Sequence, residues 1–520
     1  MAKQKKKKSI SLILRNYFIT GVVVLIPIGF TLYLSKILIG ISSKIIPENI
    51  NPNSYLPFEI PGLEIIISII FLSELTCNKI PYFIKLFFAI NDLGIFFTCF
   101  KINSQNNTSS PYSFYGIGSL DFKGTSENRA MGGLTVYNDS IHMNFRNPAS
   151  YTGKNMFSFN NEGRLVKFTV GLGHSETNLK TTTDNSETTN SSFEYLGLNI
   201  PMGKFGLGFG LIPYSSVGYK LQSSNQENML QYKYTGNGGL NKTFLGIAYQ
   251  LTNNISVGLD ARYNFGNIQN SALEYLYDDE SLPLDYHARE QNRSDLSGVN
   301  FNFGLVYKGK LNENLELHAS LAHSPDYNLS SRNSRTFASV VINPNTLIEF
   351  PVNEINIDLQ SIGLDKTDLS MPSRTSFGLG ISKEKKWFVG AEYTSIGSSV
   401  FSNDLISIDN SEFEDSSKIS FGGFYIPDYA SFSKFWNRVV YRAGFYSEKT
   451  GLVINDESID EFGISFGLGI PAGGLFSNVN TTFEFGKRGT TNENLVEENF
   501  VNIQLSLSLN DRWFIKRKYN

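Results

Sequence analysis

The chain is predicted to be an all-β transmembrane antiparallel β-barrel of about 14 strands, with an N-terminal luminal hatch and an α-helical membrane segment ahead of it. Three observations predict this. Beyond Asn103 no apolar run is long enough to cross a bilayer as a helix. The same region repeats short segments of strict apolar/polar alternation. The connectors between these segments are of two kinds, short and long, which tend to alternate along the chain. Only helices and closed barrels satisfy every backbone group in lipid, and a period of two gives each strand one lipid face and one lumen face.

Composition narrows the classes. Net charge is -3 and charged residues make up 18%, so no basic field points to nucleic acid. Aromatics reach 13%, with 41 Phe, 26 Tyr and 45 Gly, as suits strands with one greasy and one polar face. Both cysteines, Cys77 and Cys99, precede the barrel region, which therefore has no thiol chemistry.

Residues 1–75 read as a helical inner-membrane segment. Lys3 and Lys5 to Lys8, with Arg15, precede an apolar run from Tyr17 to Leu34, about the ~20 residues a spanning helix needs. Ile65 to Leu72 is a second, shorter apolar stretch. The string Leu14-Arg15-Asn16-Tyr17-Phe18-Ile19-Thr20-Gly21, then Leu25-Ile26-Pro27 and Ile60-Pro61-Gly62-Leu63, resembles the start of the DUF502 family of bacterial inner-membrane proteins, here cut short. Residues 76–105 have the order of a secretory signal peptide: basic Lys79 and Lys85, apolar Leu86 to Phe97, then polar Asn103-Ser104-Gln105. The front reads as a junction of a truncated inner-membrane protein with that signal, the alternative being a membrane-tethered barrel.

The barrel is expected over 156–520. Phe205, Leu207, Phe209 and Leu211 alternate with Gly206, Gly208 and Gly210. Further sets run from Ile255 to Tyr263, Phe301 to Tyr307, Phe462 to Ile470 and Ile503 to Leu509. The apolar members should face lipid, and the Gly, Ser and Asn members the lumen. Short turns are expected at Pro201–Lys204, Leu251–Asn254, Lys308–Asn314, Lys383–Lys386 and Pro471–Ser477. Long polar loops are expected at His174–Ser192, Gly266–Gly298, Ser324–Ser373, Gly397–Ser416 and Lys449–Asp460.

The segment 106–155 does not alternate and is too rich in Gly and polar residues to be a linker, so it should fold into the lumen as a hatch. It carries Tyr115-Gly116-Ile117-Gly118, then Arg129-Ala130-Met131-Gly132-Gly133, then Asn147-Pro148-Ala149. That order is similar to the hatch of the FadL family of outer-membrane transporters for hydrophobic compounds. The resemblance continues through Gly206 to Tyr214, similar to that family's third strand, through Met371-Pro372, Phe377 to Gly380, Trp387 and Tyr393, and through Tyr441 to Phe445, similar to its eleventh. It covers Ser110 to Leu509 and is nearest in style to Bacteroidetes members. It implies passive uptake of hydrophobic compounds such as long-chain fatty acids in the cell outer membrane.

On that implication a greasy ligand is caught among the outer loops, enters the barrel, and leaves sideways as the hatch shifts. Pro213 cannot donate a ladder bond, and Gly206, Gly208 and Gly210 weaken the same strand, so strand three is the expected opening; the bland alternative is that those glycines only make room for the plug. Asn147 and Pro148 would hold the bend of the hatch. The implied partners are a hydrophobic small molecule, outer-membrane lipid and the barrel-assembly machinery, with no nucleic acid, and the barrel acting as a monomer.

An enzyme is not expected. His142, His174, His287, His318 and His323 show no metal spacing and no nucleophile elbow, and no cofactor or metal is implied. His318 and His323 should lie on opposite faces of one strand. The competing readings are a surface adhesin or structural barrel working through its loops, or a non-functional fusion product.

Overall fold

The computed structural model describes residues 108–511 apart from 121, 140, 153–164, 225–228, 344–345, 347, 403–409, 432 and 473–476. The expected inner-membrane segment 1–75, the signal-like segment 76–105 and the basic tail from Arg512 lie outside the described residues.

Among the described residues, one sheet of 19 strand segments is formed. Fourteen antiparallel strands make the wall. These are β1 (Val166–Lys180), β2 (Asn185–Met202), β3 (Phe205–Ser224), β4 (Leu230–Gln250), β5 (Ile255–Glu274) and β6 (His287–Lys310). Then come β7 (Glu316–Ser324 and Tyr327–Ile342), β8 (Lys366–Met371 and Arg374–Lys383), β9 (Trp387–Ile396) and β10 (Ser411–Phe413 and Ser416–Tyr425). The wall ends with β11 (Val440–Ile454), β12 (Glu457–Ala472), β13 (Ser477–Arg488) and β14 (Glu497–Asp511). β14 pairs with β1 from Glu497↔Lys180 to Asp511↔Val166, which closes the barrel. Two segments stand outside the wall count: a hatch strand, Ser119–Leu120, and an outlying strand, Glu349–Asn356, paired with upper β7.

Alternation sets the two faces. Phe421 and Phe466 are about half exposed, at 53% and 52%, while Ser420 is buried and Ser465 fully so. The outward Phe and Leu residues belong to an apolar belt, and the inward Ser, Asn, Thr and Gly face the lumen. His318 is buried and His323 exposed, on opposite faces of β7.

Four of the stretches expected as long loops are largely strand. His174 lies inside β1, Gly266 to Glu274 inside β5, and His287 begins β6; Ser324–Ser373 holds upper β7, the outlying strand and part of β8; β11 runs on to Ile454. The connections shrink to 181–184 and 275–286 for the first two hairpins. The reason is physical. These hairpins continue beyond the apolar belt, where both faces carry polar residues and the period-two contrast disappears. In Gly397–Ser416 the described residues hold a short helical turn, Ser398–Val400, and the strand Ser411–Phe413.

The wall is interrupted in two places. β7 and β8 bend beside Pro325 and Pro372, and β6 loses its partner between Ser297 and Phe303. There Ser324 Oγ donates to the Phe301 carbonyl at 3.0 Å, so a side chain stands in for the ladder. The second interruption is larger. β2 and β3 pair only from Met202↔Phe205 to Leu196↔Leu211. Above that point β2 pairs on with β1, and β3 with β4, but among the described residues not with each other. β3 bulges against β4 between Pro213 and Ser215, and residues 215–219 are buried on both faces.

Candidate functional site

The hatch, 108–152, lies in the lumen and bonds to the edge of β3 that β2 leaves at the split. Gly218 N–H, on the edge of β3 that β2 leaves, donates to Ser113 Oγ at 3.1 Å. Ser119 and Leu120 pair with Ser216 and Ser215 as a two-residue strand. Gly118, at φ +88°, makes this approach possible: a β-carbon there would fall 2.2 Å from the Ser216 carbonyl oxygen.

Ion pairs fasten the hatch to the opposite wall. The Arg129 side chain, on the single helical turn Ser126–Arg129, donates through Nε and Nη2 to both Glu484 oxygens at 3.2 Å. Lys123 pairs with Glu461, which also accepts from Arg488 Nε at 2.7 Å. Arg146 Nη2 reaches Glu392 Oε1 at 2.8 Å, and Thr135 donates from both N–H and Oγ1 to Glu392 Oε2. Removing one partner of such a buried pair would leave an uncompensated charge in the lumen. Asp139 is half-buried, and desolvation alone would raise its carboxyl, yet the neighbouring His142 and Lys167 hold it well below the ordinary carboxylate range.

The Gly-rich element Arg129 to Gly133 turns tightly. Gly132 has φ +71°, and a β-carbon would stand 2.6 Å from the Phe445 carbonyl oxygen. Its N–H donates to Ser465 Oγ at 3.1 Å, and Gly133 packs beside Lys418. Asn147 caps the short helix Pro148–Tyr151, accepting from Ala149 N–H at 3.1 Å and donating through Nδ2 to Leu305 and Leu321 carbonyls at 3.2 Å. Pro148 and Ala149 press on Gly258 and Gly304. Gly206 and Gly208 meet Tyr151, whereas Gly210 meets Phe244. Thus Gly206 and Gly208 of β3 make room for the hatch below the split, and Pro213 lies just above the last β2–β3 pair, Leu196↔Leu211.

Two cavities flank the hatch strand. One, of about 160 Å³, is mainly apolar, with Tyr112, Tyr115 and Ile117 of the hatch and Met371, Phe401, Phe413 and Leu452 of the wall in its lining, together with the charged Lys123, Arg374, Glu448, Glu461 and Arg488. Gly116 packs against Phe401 and Phe413 at its edge. The other, of about 130 Å³, is polar and lies toward β1, β2 and β14, with Arg129, Asn190, Glu194 and Gln504 in its lining. At the outer end, Leu282, Leu284 and Tyr286 of the β5–β6 connection and Ile348, Phe350 and Ile355 around the outlying strand are exposed. Among the described residues no group of three or more His, Cys, Asp or Glu could hold a metal ion.

Reading the sequence missed the wall partners Glu392, Glu461, Glu484 and Arg488. A signal was present: Glu484 stands between Phe483 and Phe485, so a carboxylate occupies a lumen position of a strand whose other face is aromatic.

A family model described as BamG matches residues 85–520. No curated protein matches the chain. Among solved structures, the P. putida toluene transporter TodX is similar at a TM-score of 0.49 and 15% identity, over 76% of this chain and 100% of that one. A Pseudomonas aeruginosa FadL homologue is similar at 0.48 and 11%, over 76% and 100%. The CymD monoaromatic hydrocarbon channel is similar at 0.47 and 13%, over 76% and 98%.

Proposed function

The chain belongs to the BamG family, and from that premise we propose that its barrel is an outer-membrane conduit for passive uptake of hydrophobic compounds, long-chain fatty acids among them. The observation that carries the reading is the mainly apolar cavity of about 160 Å³ beside the hatch strand, which pairs with β3 at the β2–β3 split. An apolar cavity of about 150 Å³ is large enough to bind benzene, so the space suits a ring or a folded stretch of alkyl chain.

The exposed apolar residues at the outer end, Leu282, Tyr286, Phe350 and Ile355 among them, supply a capture surface. The ligand passes from there to the cavity. When the hatch strand leaves Ser215 and Ser216, the unpaired edges of β2 and β3 open a lateral way into the membrane. No energy source is needed, since an apolar solute moves downhill from water into lipid. The barrel acts as a monomer surrounded by outer-membrane lipid, and its front is removed or never joined to the working barrel. The test is uptake of a labelled fatty acid by cells with and without this barrel. Uptake that depends on the barrel and falls when Phe401 and Phe413 are changed to Asn supports the reading; uptake indifferent to both defeats it.

A second reading has the family designation in its favour: a place beside the barrel-assembly machinery. Co-purification of that machinery with the tagged chain from native membranes, together with loss of other outer-membrane barrels on depletion, would favour it over uptake.

A further inference from the structure

The polar cavity of about 130 Å³, on the β1, β2 and β14 side of the hatch strand, takes no part in the uptake reading. Its charged groups are matched. Arg129 lies between Glu484 at 3.2 Å and Glu194 at 3.6 Å, and Arg488 between Glu461 at 2.7 Å and Glu498 at 3.9 Å. Lys123 pairs with Glu461. Gln504 is different. It lines the cavity and is only 2% exposed, yet among the described residues neither its amide nitrogen nor its amide oxygen has a hydrogen-bond partner. A buried amide left unmet is costly, so this one calls for a partner.

The cavity stands at the split. Asn190, Ser192 and Glu194 in its lining lie on β2 above the last β2–β3 pair, Leu196↔Leu211. It also stands where the apolar belt ends. The outward row changes there from Leu172 to His174 and Glu176 on β1, and from Phe193 to Ser191 on β2. That is the height of lipid headgroups. Phe193 and Ile503 complete the lining on the outer side and are 36% and 39% exposed, so the cavity reaches the outside of the barrel.

We propose that this cavity binds one neutral sugar ring, with Gln504 donating to one hydroxyl and accepting from another. Matched charges select no ion, which leaves a neutral ligand that both donates and accepts. Hydroxyls do both: they accept from the Gln504 amide nitrogen and donate to its oxygen and to the Glu194 carboxylate. Phe193 and Phe500 offer apolar surface to the carbon face of the ring. An apolar cavity of about 150 Å³ holds benzene, so this one, open to the outside, takes a single six-membered ring. Two sources present such a ring: a free sugar from the water, or the headgroup of a glycolipid in the outer leaflet. The site does not rest on the uptake reading.

The test uses the purified, folded chain in an oligo-oxyethylene detergent, which carries no sugar. Equilibrium dialysis follows labelled glucose. Native mass spectrometry follows two lipids with the same tails, monoglucosyl diacylglycerol and plain diacylglycerol. Gln504→Leu removes both amide groups at similar volume. Heat-modifiable mobility on a gel reports whether the barrel is folded, and Gln504→Met replaces the leucine variant if that fails to fold. The expected result is that the parent holds the glucosyl lipid in preference to diacylglycerol and the variant holds it about tenfold or more weaker, as losing two hydrogen bonds implies. Diacylglycerol retention is the same in both. Glucose that binds the parent and is lost in the variant identifies the free ring as sufficient. Glucose that fails to bind, beside glucosyl lipid lost in the variant, identifies the glycolipid head. Either supports the site. A parent that binds neither glucose nor the glucosyl lipid above diacylglycerol, or sugar binding that the variant leaves unchanged, overturns it.

Discussion

Asn147 is fully buried, and its amide is the joint between hatch and wall, bonded to its own helix and to carbonyls on β6 and β7. Asn147→Ala removes these bonds without adding bulk. The expected cost is about 1–3 kcal/mol, the range for leaving buried polar groups unsatisfied. It should appear as earlier thermal release of the hatch, measured by protease cleavage between 108 and 152, with the barrel itself still folded. Gly206 probes the other side of the same contact. A β-carbon there would fall 2.0 Å from the Tyr151 carbonyl oxygen, so Gly206→Ala must displace the hatch or β3. Protease access to the hatch should rise in this variant, and an unchanged cleavage pattern would show that the contact is not tight. At this scale the sequence was informative about Asn147, Pro148 and the glycines, since their chemistry is local.

β3 is the element on which the account turns. Its lower half is an ordinary wall strand, paired on both sides. Its upper half has exchanged β2 for the hatch, through Ser113, Ser119 and Leu120. Pro213 sits at the change, where it removes a ladder donor and a bulge follows. Pro213→Val should let β3 straighten and its pairing with β2 extend above Leu211. Slower amide hydrogen exchange in 190–195 and reduced uptake are the expected outcomes; unchanged exchange would mean that the split does not depend on the proline. The alternation of Phe205 to Leu211 with three glycines made this strand legible, and Pro213 stands where its bulge against β4 begins. The extent of the split was not legible, because strand pairing is a property of two edges and the hatch contact is separated from β3 by about a hundred residues of chain.

At the scale of the molecule, the barrel was legible because lipid imposes a period of two on every strand that crosses it. The outer halves of the hairpins were read as loops because water imposes no such period. The luminal charges were legible only in part: Glu484 between two phenylalanines is a signal, whereas its partner Arg129 needs the fold. Among the described residues the barrel is a wall whose strands β2 and β3 part above Leu211, with a plug that pairs along the β3 edge of that gap. The central claim is that moving this edge opens the way out, and one measurement tests it directly. Ser119→Cys with Ser216→Cys places two thiols on directly opposed residues of an antiparallel pair, within disulfide reach. Purified barrel carrying this pair is placed in liposomes, and the flux of a labelled fatty acid is measured oxidised and reduced. The account predicts flux in the reduced form and little in the oxidised form, with full recovery on reduction. Equal flux in both forms would contradict it, because the hatch strand could then stay in place while the ligand passes.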